Sequence, residues 1–419
     1  MYSFIKDVDF FQGNIVEDLI KKFGSPLYVY NEKMLRKRCR QMANLITNVD
    51  FKVNFSTKAN SNLNLLSIIK DEGLNADAMS PGEIVALKKA GFKKEQIFYV
   101  SNNVSVDELK FALQEGVLTS VDSLSQLELF GQVNPGGKVA VRFNPGVGAG
   151  HHEKVVTGGK KTKFGVSPEF ISEVKEILKK YRLKMVGINQ HIGSLFMESD
   201  VFVEGVKSIL NIAKEFDDLE FVDLGGGFGI PYKKAEGEKR LDLEFLGDRL
   251  ETVLLDWLKE YKRVYERDVT FKIEPGRYVA AECGVILTKV NSIKDNYGSR
   301  YIGTDLGFNV LKRPVMYDSH HEIEVFRDGK LLQEGEKRKV NVVGNICETG
   351  DVLAKERDLF EIRTGDCLVL LDAGAYGFCM SSNYNNRLRP AEVLITSRGD
   401  AKLIRRRESL EDLFLTQQL

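Results

Sequence analysis

The chain has 419 residues, enough for two ordinary domains and at least one large core. Its 60 lysines and arginines balance 60 aspartates and glutamates, so no overall positive field favours nucleic acid or an anionic membrane. The N-terminus lacks the pattern of a secretion signal, and no uncharged apolar segment approaches the ~20 residues of a membrane helix. We therefore expect a soluble protein without nucleic-acid or membrane partners.

The five cysteines are scattered and include no CxxC pair. This spacing argues against a disulfide framework and a structural zinc site, and it favours a reducing cytoplasm. Two His-His pairs occur, at 151–152 and 320–321. Adjacent residues do not face one centre from a regular element, so we expect no metal site.

From residue 51 to 277 the sequence repeats one pattern, in which a short apolar run is followed by a turn and an amphipathic stretch of helical period. Helical stretches such as SNLNLLSIIKDEGL and PGEIVALKKAGF have glycine near their C-terminal ends. Eight such units in roughly 230 residues predict a parallel (β/α)8 barrel of the TIM type, with a doubly wound sheet as the alternative. The predicted strands are 51–57, 74–79, 97–101, 118–122, 138–144, 184–191, 218–224 and 269–274.

After about residue 282 the pattern changes to period-two runs with turn-rich connections, which predict antiparallel strands in an all-β domain of sandwich or Greek-key-like form. The early run PLYVY (26–30) is predicted to pair into that domain. We therefore expect a barrel domain at 31–280 and a β domain formed by 1–30 and 281–419. The period-two runs are VILTKVNSI, EIEVFRDGKLLQ, KVNVVG, CLVLLDAG and AEVLITSRGDAKLI.

Polar residues follow the ends of several predicted barrel strands. Because the active site of such a barrel lies at the C-terminal ends of its strands, we expect these residues to form one site. A lone histidine is about as often a buried structural residue, and a glycine run is more often a tight turn, but their convergence favours a site. The residues and motifs are Lys58, Asp77, Asn144, QHIGS (190–194), LGGGFG (224–229) and EPGR (274–277).

The glycine run LGGGFGIP would let backbone N–H groups approach an anion closely, as a phosphate cradle does. It lacks GxGxxG spacing, and the chain has no GxxxxGK[ST] motif. A phosphate held near Lys58 favours pyridoxal phosphate, bound as a Schiff base. A carboxylate such as Glu274 beside the pyridine nitrogen would strengthen electron withdrawal by the ring, which suits decarboxylation.

The chain resembles the diaminopimelate decarboxylases, which are fold III pyridoxal-phosphate enzymes that convert meso-2,6-diaminopimelate to L-lysine. The resemblance runs nearly end to end, and its most specific part lies in the C-terminal half. The matching motifs are SPLYVYN, STKAN, NADAMSPGE, KFGV, HIGS, LGGGFGIPY, IEPGRYVAAECG, LGFNVLKRPVMYDSHHEI, CETGDVLA and LDAGAYGFCMSSNYNNRLRPAEVL.

The resemblance implies that Lys58 forms the Schiff base, that His191 stacks on the cofactor ring and that Glu274 faces the pyridine nitrogen. Further cofactor-binding residues would be Ser194, Gly226, Gly227, Gly276, Arg277 and Tyr376. Substrate-binding residues would be Arg277, Arg313, Tyr317, Glu348 and Tyr376. Two of these arginines suit a distal carboxylate, and the glutamate suits a distal ammonium.

Cys347 matches the proton donor proposed for the family, and burial among apolar neighbours would keep its thiol protonated. In the family Cys347 and Glu348 reach the site from the partner subunit, so a homodimer with shared active sites is expected. The loop at Thr157–Gly165 matches a mobile cover over the site.

Thr57, Thr349, Leu195 and the lysine-rich loop 154–163 depart from the family pattern. They leave D-ornithine, D-lysine and carboxynorspermidine open as alternative substrates. A non-catalytic pyridoxal-phosphate carrier made of a lone barrel is a further alternative, which the C-terminal motifs disfavour.

Overall fold

The computed structural model describes residues 3–146, 148–150, 159 and 162–418. Residues 151–158, 160 and 161 lie outside this set, and with them fall His151, His152 and much of the predicted cover and lysine-rich loop. The chain divides into two compact units. The barrel unit comprises 36–230 and 240–279, and the β-rich unit comprises 1–35, 231–239 and 280–419. The domain boundaries given above stay a prediction.

The barrel unit contains a closed barrel of eight parallel strands, which confirms the predicted fold and excludes the doubly wound sheet. Each strand pairs with the next along the chain, and the last pairs with the first through Phe271 opposite Phe51 and Ile273 opposite Val53. The strands are Phe51–Ser56, Asn75–Ala78, Ile97–Val100, Leu118–Val121, Lys138–Arg142, Lys184–Asn189, Phe221–Asp223 and Thr270–Ile273. All eight predicted strands are therefore present, each slightly shorter than predicted.

Serine caps begin three of the barrel helices. The hydroxyls of Ser80, Ser105 and Ser123 each accept a hydrogen bond from the backbone N–H three residues later. Such caps satisfy amides that a helix N-terminus leaves open, so each turn from strand to helix is encoded locally. The helices of the chain are Phe4–Asp7, Val16–Phe23, Glu32–Ala43, Leu63–Asp71, Pro81–Lys89, Val106–Gln114, Leu124–Val133, Ile171–Tyr181, Ser199–Ala213, Leu243–Tyr265, Arg277–Ala280 and Arg313–Tyr317.

An apolar cluster contributed by several barrel strands forms part of the barrel unit's core. Phe98, Val100, Ala140, Val186 and Phe221 are all buried there. Phe98 and Phe221 meet edge to face, with ring centroids 5.3 Å apart. Such a core fixes the strands rigidly, and the strand ends can then hold polar side chains in defined positions.

The β-rich unit is a mixed sheet of ten strands. One path of it runs in the order Lys330–Leu331, Ile323–Arg327, Cys367–Leu370, Gly284–Asn296, Leu27–Asn31, Ala391–Ile395 and Ala401–Arg405. A branch adds Ser299–Thr304, Lys337–Val343 and Val352–Phe360. A further short pair, Ala149–Gly150 with Gly193–Ser194, belongs to the barrel unit.

The prediction that PLYVY joins this sheet is confirmed, because Leu27–Asn31 lies between Gly284–Asn296 and Ala391–Ile395. The antiparallel pairing predicted for the β domain has two exceptions. Leu27–Asn31 pairs in parallel with Ala391–Ile395, and Ser299–Thr304 pairs in parallel with Lys337–Val343. A period-two pattern reports which face of a strand is buried and carries no information on the direction of its partner.

Within the described part of the chain, no helix combines the length and apolar character needed to cross a membrane.

Candidate active site

Lys58 lies in a single 3-10 turn, Thr57–Ala59, that follows the first barrel strand directly. The strand before it is buried from Val53 to Ser56, while Lys58 itself is only partly buried. The chain therefore leaves the barrel wall before the charge appears, and the side chain starts at the C-terminal end of the barrel. Thr57 is fully buried, and its hydroxyl has no hydrogen-bond partner among the described residues; nothing in the structure explains the threonine.

Asp77 is buried at the end of the second strand. The Ser56 hydroxyl oxygen lies 2.7 Å from Asp77 Oδ2 and 3.1 Å from the carbonyl oxygen of Glu274. Burial raises the pKa of Asp77 well above its usual range, the Glu274 carboxylate raises it further, and the Lys58 ammonium opposes both. A protonated Asp77 can donate to Ser56, which then donates to the Glu274 carbonyl.

Glu274 follows the last barrel strand and is 4% exposed. Its Oε2 lies 3.7 Å from His191 Nδ1. Its Oε1 is buried and has no hydrogen-bond partner among the described residues. A buried carboxylate oxygen without a donor is costly unless a bound group supplies one.

His191 follows the sixth barrel strand, and its Nδ1 accepts a hydrogen bond of 3.2 Å from the backbone N–H of Gly226. An Nδ1 that accepts cannot carry a proton, so the ring is neutral with its hydrogen on Nε2. Burial, supported by the Lys58 charge, lowers the pKa of His191 from 6.5 to about 4. A neutral imidazole presents a flat, uncharged face at this end of the barrel, as stacking on a cofactor ring requires.

The glycine run after the seventh strand is required by sterics. A Cβ at Gly226 would lie 2.0 Å from the Glu274 carbonyl oxygen, and one at Gly227 would lie 2.5 Å from the Gly193 carbonyl oxygen. Gly227 also has a φ of 107°, which side chains rarely allow. The three segments that begin at His191, Leu224 and Glu274 therefore approach one another backbone to backbone, as the convergence of their motifs predicted.

Ser194 and Arg277 are joined by a hydrogen bond of 2.9 Å from Arg277 Nη2 to Ser194 Oγ. Arg277 is 7% exposed. A guanidinium and a hydroxyl beside the glycine run add donors suited to a phosphate or a carboxylate. Gly276, predicted to bind phosphate through its backbone, is buried in the same EPGR segment.

Sequence reasoning missed two charged residues of the barrel interior. Asp223 is fully buried and accepts from the backbone N–H of Gly225 at 3.0 Å, and burial next to Glu274 raises its pKa. Arg142 is 5% exposed, lies 4.5 Å from the centre of the Phe164 ring, and has its pKa lowered by burial. Both lie at strand ends, and a polar residue closing an apolar run was the signal that could have found them.

Asn144 organises the loop that follows the fifth strand. Its Oδ1 accepts from the backbone N–H groups of Gly146 and Gly159, and its Nδ2 donates to the carbonyls of Gly159 and Phe164. The side chain is therefore engaged with its own loop, and its place among the site residues stays a prediction.

In the β-rich unit, Arg313 begins the helix Arg313–Tyr317 and is 1% exposed. Its Nη1 lies 2.9 Å from His321 Nε2, and its guanidinium lies 4.6 Å from the centre of the Tyr232 ring. Tyr317, Tyr376 and Arg313, all predicted substrate or cofactor contacts, belong to this unit. Tyr376 has a φ of 55°, a left-handed conformation that is uncommon for tyrosine.

Cys347 and Glu348 are both exposed, so the described residues of one chain do not provide the burial that would keep the Cys347 thiol protonated. The buried carboxylate of Asp351 accepts from the backbone N–H groups of Ile346 and Phe308, each at 2.7 Å, which folds the CETGD loop outward. Tyr384 Oη donates to Glu348 Oε1 at 2.5 Å. The sequence of one chain does not indicate which of its residues a second chain would bury, so the exposure of this loop could not be predicted from it.

The barrel residues fit pyridoxal phosphate. Glu274 Oε1 is a buried acceptor without a donor among the described residues, and a protonated ring nitrogen is such a donor. The glycine run leaves room where any Cβ would collide, so its backbone can approach a phosphate closely. Lys58, Ser194 and Arg277 supply an amine and two phosphate donors on the same unit.

This fold and this set of strand-end residues define a barrel-type pyridoxal-phosphate decarboxylase. The family model "Pyridoxal-dependent decarboxylase, pyridoxal binding domain" matches residues 32–281. The diaminopimelate decarboxylase of Methanothermobacter thermautotrophicus is 40% identical over 410 residues, which cover 96% of this chain and 94% of that protein. That of Escherichia coli K12 is 33% identical and covers 99% of both chains.

The crystal structure of diaminopimelate decarboxylase from Helicobacter pylori, complexed with L-lysine, matches with a TM-score of 0.85 and 30% identity. The match covers 95% of this chain and 98% of that one. The chain belongs to the diaminopimelate decarboxylase family.

Proposed function

We propose that the protein catalyses the pyridoxal-phosphate-dependent decarboxylation of meso-2,6-diaminopimelate to L-lysine and CO2, the last step of lysine biosynthesis. The observation that carries the proposal is the nearly full-length match to diaminopimelate decarboxylases. In this chain, His191 lies close to Glu274 at the end of the barrel, and both interact electrostatically with the site that includes Lys58. The Helicobacter pylori relative is described in complex with L-lysine, the product proposed here.

Pyridoxal phosphate supplies the electron sink that takes up the electron pair left when CO2 departs. Lys58 provides the amine that holds the cofactor covalently. The Glu274 carboxylate stabilises a proton on the ring nitrogen, because its unpartnered Oε1 is an acceptor in a buried site. Neutral His191 stacks on the ring without adding positive charge, and Ser194, Gly226, Gly227, Gly276 and Arg277 bind the phosphate; Tyr376 is proposed as a further cofactor contact.

For substrate recognition, we propose that Arg277, Arg313, Tyr317 and Tyr376 contact the substrate. The two arginines bind the distal carboxylate, and Glu348 pairs with the distal ammonium. The net reaction breaks one C–C bond and replaces it with a C–H bond, so a proton donor is needed. We assign that donor to the Cys347 thiol.

The exposure of Cys347 and Glu348 supports a homodimer with shared active sites. A proton donor open to water cannot by itself exclude solvent from the reacting carbon, so the loop needs a cover. A partner chain that buries the loop against its own site provides one, and a closed dimer then holds two equivalent sites.

The first test is a substrate panel that compares CO2 release from meso-diaminopimelate, D-lysine and D-ornithine. We expect meso-diaminopimelate to be preferred, and Arg313→Ala to impair only the substrate with a distal carboxylate severely. A preference for D-lysine or D-ornithine would replace the proposed substrate with one of the alternatives. A chain that binds pyridoxal phosphate but releases no CO2 from any of the three, nor from carboxynorspermidine, would be a cofactor carrier.

The second test replaces Lys58. Lys58→Ala is expected to lose both turnover and the visible absorbance of the bound cofactor. Lys52→Ala removes an exposed lysine of the same strand and is the matched control, which should keep both. A cofactor-free, colourless wild type would overturn the proposal.

The shared-site dimer is tested by mixing Lys58→Ala with Cys347→Ala, each inactive or nearly so alone. Random exchange of equal amounts gives half heterodimers, each with one intact site of two, so about a quarter of the wild-type activity returns. If the mixture stays as inactive as its components, each site is built from one chain.

A further inference from the structure

His321 and Arg313 form a buried pair in the β-rich unit, and both are 1% exposed. The imidazole is held at both nitrogens. Its Nδ1 lies 2.7 Å from the backbone carbonyl oxygen of Leu371, and its Nε2 lies 2.9 Å from Nη1 of Arg313. Two hydrogen bonds on opposite sides of the ring leave it one orientation.

These contacts fix the tautomer of His321. A backbone carbonyl can only accept, so Nδ1 carries the hydrogen and donates to Leu371. Nε2 must then accept from the Arg313 guanidinium, which can only donate. In a doubly protonated ring, Nε2 would carry a hydrogen that points at an N–H of Arg313 only 2.9 Å away, and two positive charges would meet. The geometry therefore requires the neutral ring.

Tyr232 holds the guanidinium of Arg313 from a second direction. The guanidinium lies 4.6 Å from the centre of the Tyr232 ring, and the same ring meets His321 edge to face at 5.7 Å. The His321 nitrogen and the Tyr232 ring therefore hold the guanidinium from two directions and constrain its orientation.

Two buried acids, Asp372 and Glu282, lie within ion-pair distance of Lys234 in the same unit. Burial raises the pKa of Asp372 to about 6, and the charges of Lys234 and Arg313 oppose that rise. Lys234 Nζ lies 2.7 Å from Asp372 Oδ1 and 2.6 Å from Oδ2. Asp372 therefore interacts with two cations, Lys234 and Arg313, and with a second acid, Glu282.

We propose that His321, as the neutral tautomer protonated on Nδ1, is a positioning residue that together with Tyr232 fixes the guanidinium of Arg313 for the distal carboxylate of the substrate. The inference rests on the proposed function, in which Arg313 binds that carboxylate. It assigns His321 no contact with substrate or cofactor. Bidentate recognition of a carboxylate depends on the plane of the guanidinium, so a loss of orientation lowers affinity even when the charge remains.

The test compares the binding of L-lysine, which has the carboxylate, with that of 1,5-diaminopentane, which lacks it, by calorimetry on the cofactor-loaded enzyme. His321→Phe fills the space but cannot accept from Arg313. We expect it to weaken L-lysine binding by about 10- to 100-fold relative to 1,5-diaminopentane. His321→Gln offers an amide oxygen as acceptor for Arg313 and should restore part of the ratio of the affinity for L-lysine to the affinity for 1,5-diaminopentane. KM for meso-diaminopimelate should rise more than kcat falls.

His320→Asn is the matched control, because the neighbouring His320 lies against Arg357 and Glu322 instead of Arg313. Its affinity ratio should equal that of the wild type. Should both His321 variants fail to fold, Tyr232→Leu against Tyr232→Phe carries the same test, since only leucine removes the ring under the guanidinium. Tyr232→Phe should then keep more of the ratio than Tyr232→Leu.

The inference is overturned if His321→Phe folds, binds pyridoxal phosphate and keeps the wild-type affinity ratio, or if the two Tyr232 variants do not differ. A failure of the proposed function appears elsewhere, as a wild type that releases no CO2 from meso-diaminopimelate. Equal losses for both amines in His321→Phe would indicate a general structural role and would also overturn the assignment.

Discussion

The strand ends of the barrel unit and the CETGD loop of the β-rich unit both bear ionisable side chains, and these differ in how far they are buried. At the barrel end, Asp77, Asp223 and Glu274 are nearly or fully buried. On the loop, Cys347 and Glu348 are exposed. A rigid barrel can hold charges against their desolvation cost, whereas an exposed loop gains its function only when something covers it.

The difference teaches which part of the chemistry one chain can preorganise. The barrel end sets protonation states through burial, since the pKa of Asp77 is raised and that of His191 lowered in the chain alone. On the loop, Asp351 holds the backbone through two hydrogen bonds, while the side chains of Cys347 and Glu348 are exposed to solvent. Substitutions at the barrel end should therefore act on cofactor binding and turnover, and those on the loop should act on substrate recognition.

The largest effect is expected from Gly226→Ala. The added methyl would lie 2.0 Å from the Glu274 carbonyl oxygen, which must then move and displace the carboxylate that we propose faces the ring nitrogen. We expect loss of the visible cofactor absorbance and of CO2 release. Gly82→Ala is the control, because its Cβ would meet Ser80 at an ordinary 3.7 Å. A Gly226→Ala enzyme with normal cofactor affinity would contradict the close backbone approach described here.

Glu274→Gln should have the next largest effect. Glutamine keeps the volume but removes the negative charge that we propose stabilises a proton on the ring nitrogen, so kcat should fall by about 10²–10³-fold while the cofactor stays bound. Steady-state kinetics with the visible spectrum as a loading check measure this. Glu220→Gln, at an exposed position before the seventh strand, is the control. An unchanged kcat would mean that the charge of Glu274 does not act on the ring.

Glu348→Gln probes the exposed side of the comparison and should have a smaller effect. Loss of the charge-assisted contact with the distal ammonium should lower kcat/KM for meso-diaminopimelate by about 10- to 100-fold with cofactor binding intact. Tyr384→Phe removes only the hydrogen bond to Glu348 and should cost less. If Glu348→Gln lowers cofactor absorbance instead, the division of labour between strand ends and loop is wrong.

Much of the barrel was predictable because a parallel strand buried on both faces is a short apolar run, and a polar residue such as Lys58 or Asp77 closes it. Arg142 and Asp223 are the last residues of their strands, and they were missed because the predicted strands 138–144 and 218–224 extend beyond them. Strands Ser299–Thr304 and Val352–Phe360 were missed because charged residues interrupt their alternation. The parallel pairing of Leu27–Asn31 with Ala391–Ile395 joins segments far apart in the chain, and local periodicity carries no signal for it.

The features of the candidate site also fall into those that the sequence could predict and those that it could not. The residue types at the barrel end could be read from strand ends, since barrel topology brings those ends together. The exposure of Cys347 and the tautomer of His321 could not, because they depend on partners distant in sequence. For His321 that partner is the carbonyl of Leu371, which no side-chain pattern encodes.

The smallest expected effect concerns His191 and the pH dependence of stability in the cofactor-free chain. Its pKa is about 4 in the folded state against an ordinary 6.5, so between these values unfolding takes up a proton. Its contribution to stability is complete above pH 6.5 and is lost as the pH falls to about 4, with a slope of at most about 1.4 kcal/mol per pH unit. The pKa of Asp77 is raised, so its contribution to stability is lost as the pH rises above its ordinary pKa of 3.8, which is the opposite direction.

The difference between the free energies of unfolding of the wild type and His191→Asn, measured in denaturant across pH 4–8, isolates the contribution of the histidine. We expect the two curves to differ by a constant above pH 7 and the wild type to lose stability relative to His191→Asn below pH 6.5. Parallel curves throughout would mean that burial does not depress the pKa of this imidazole.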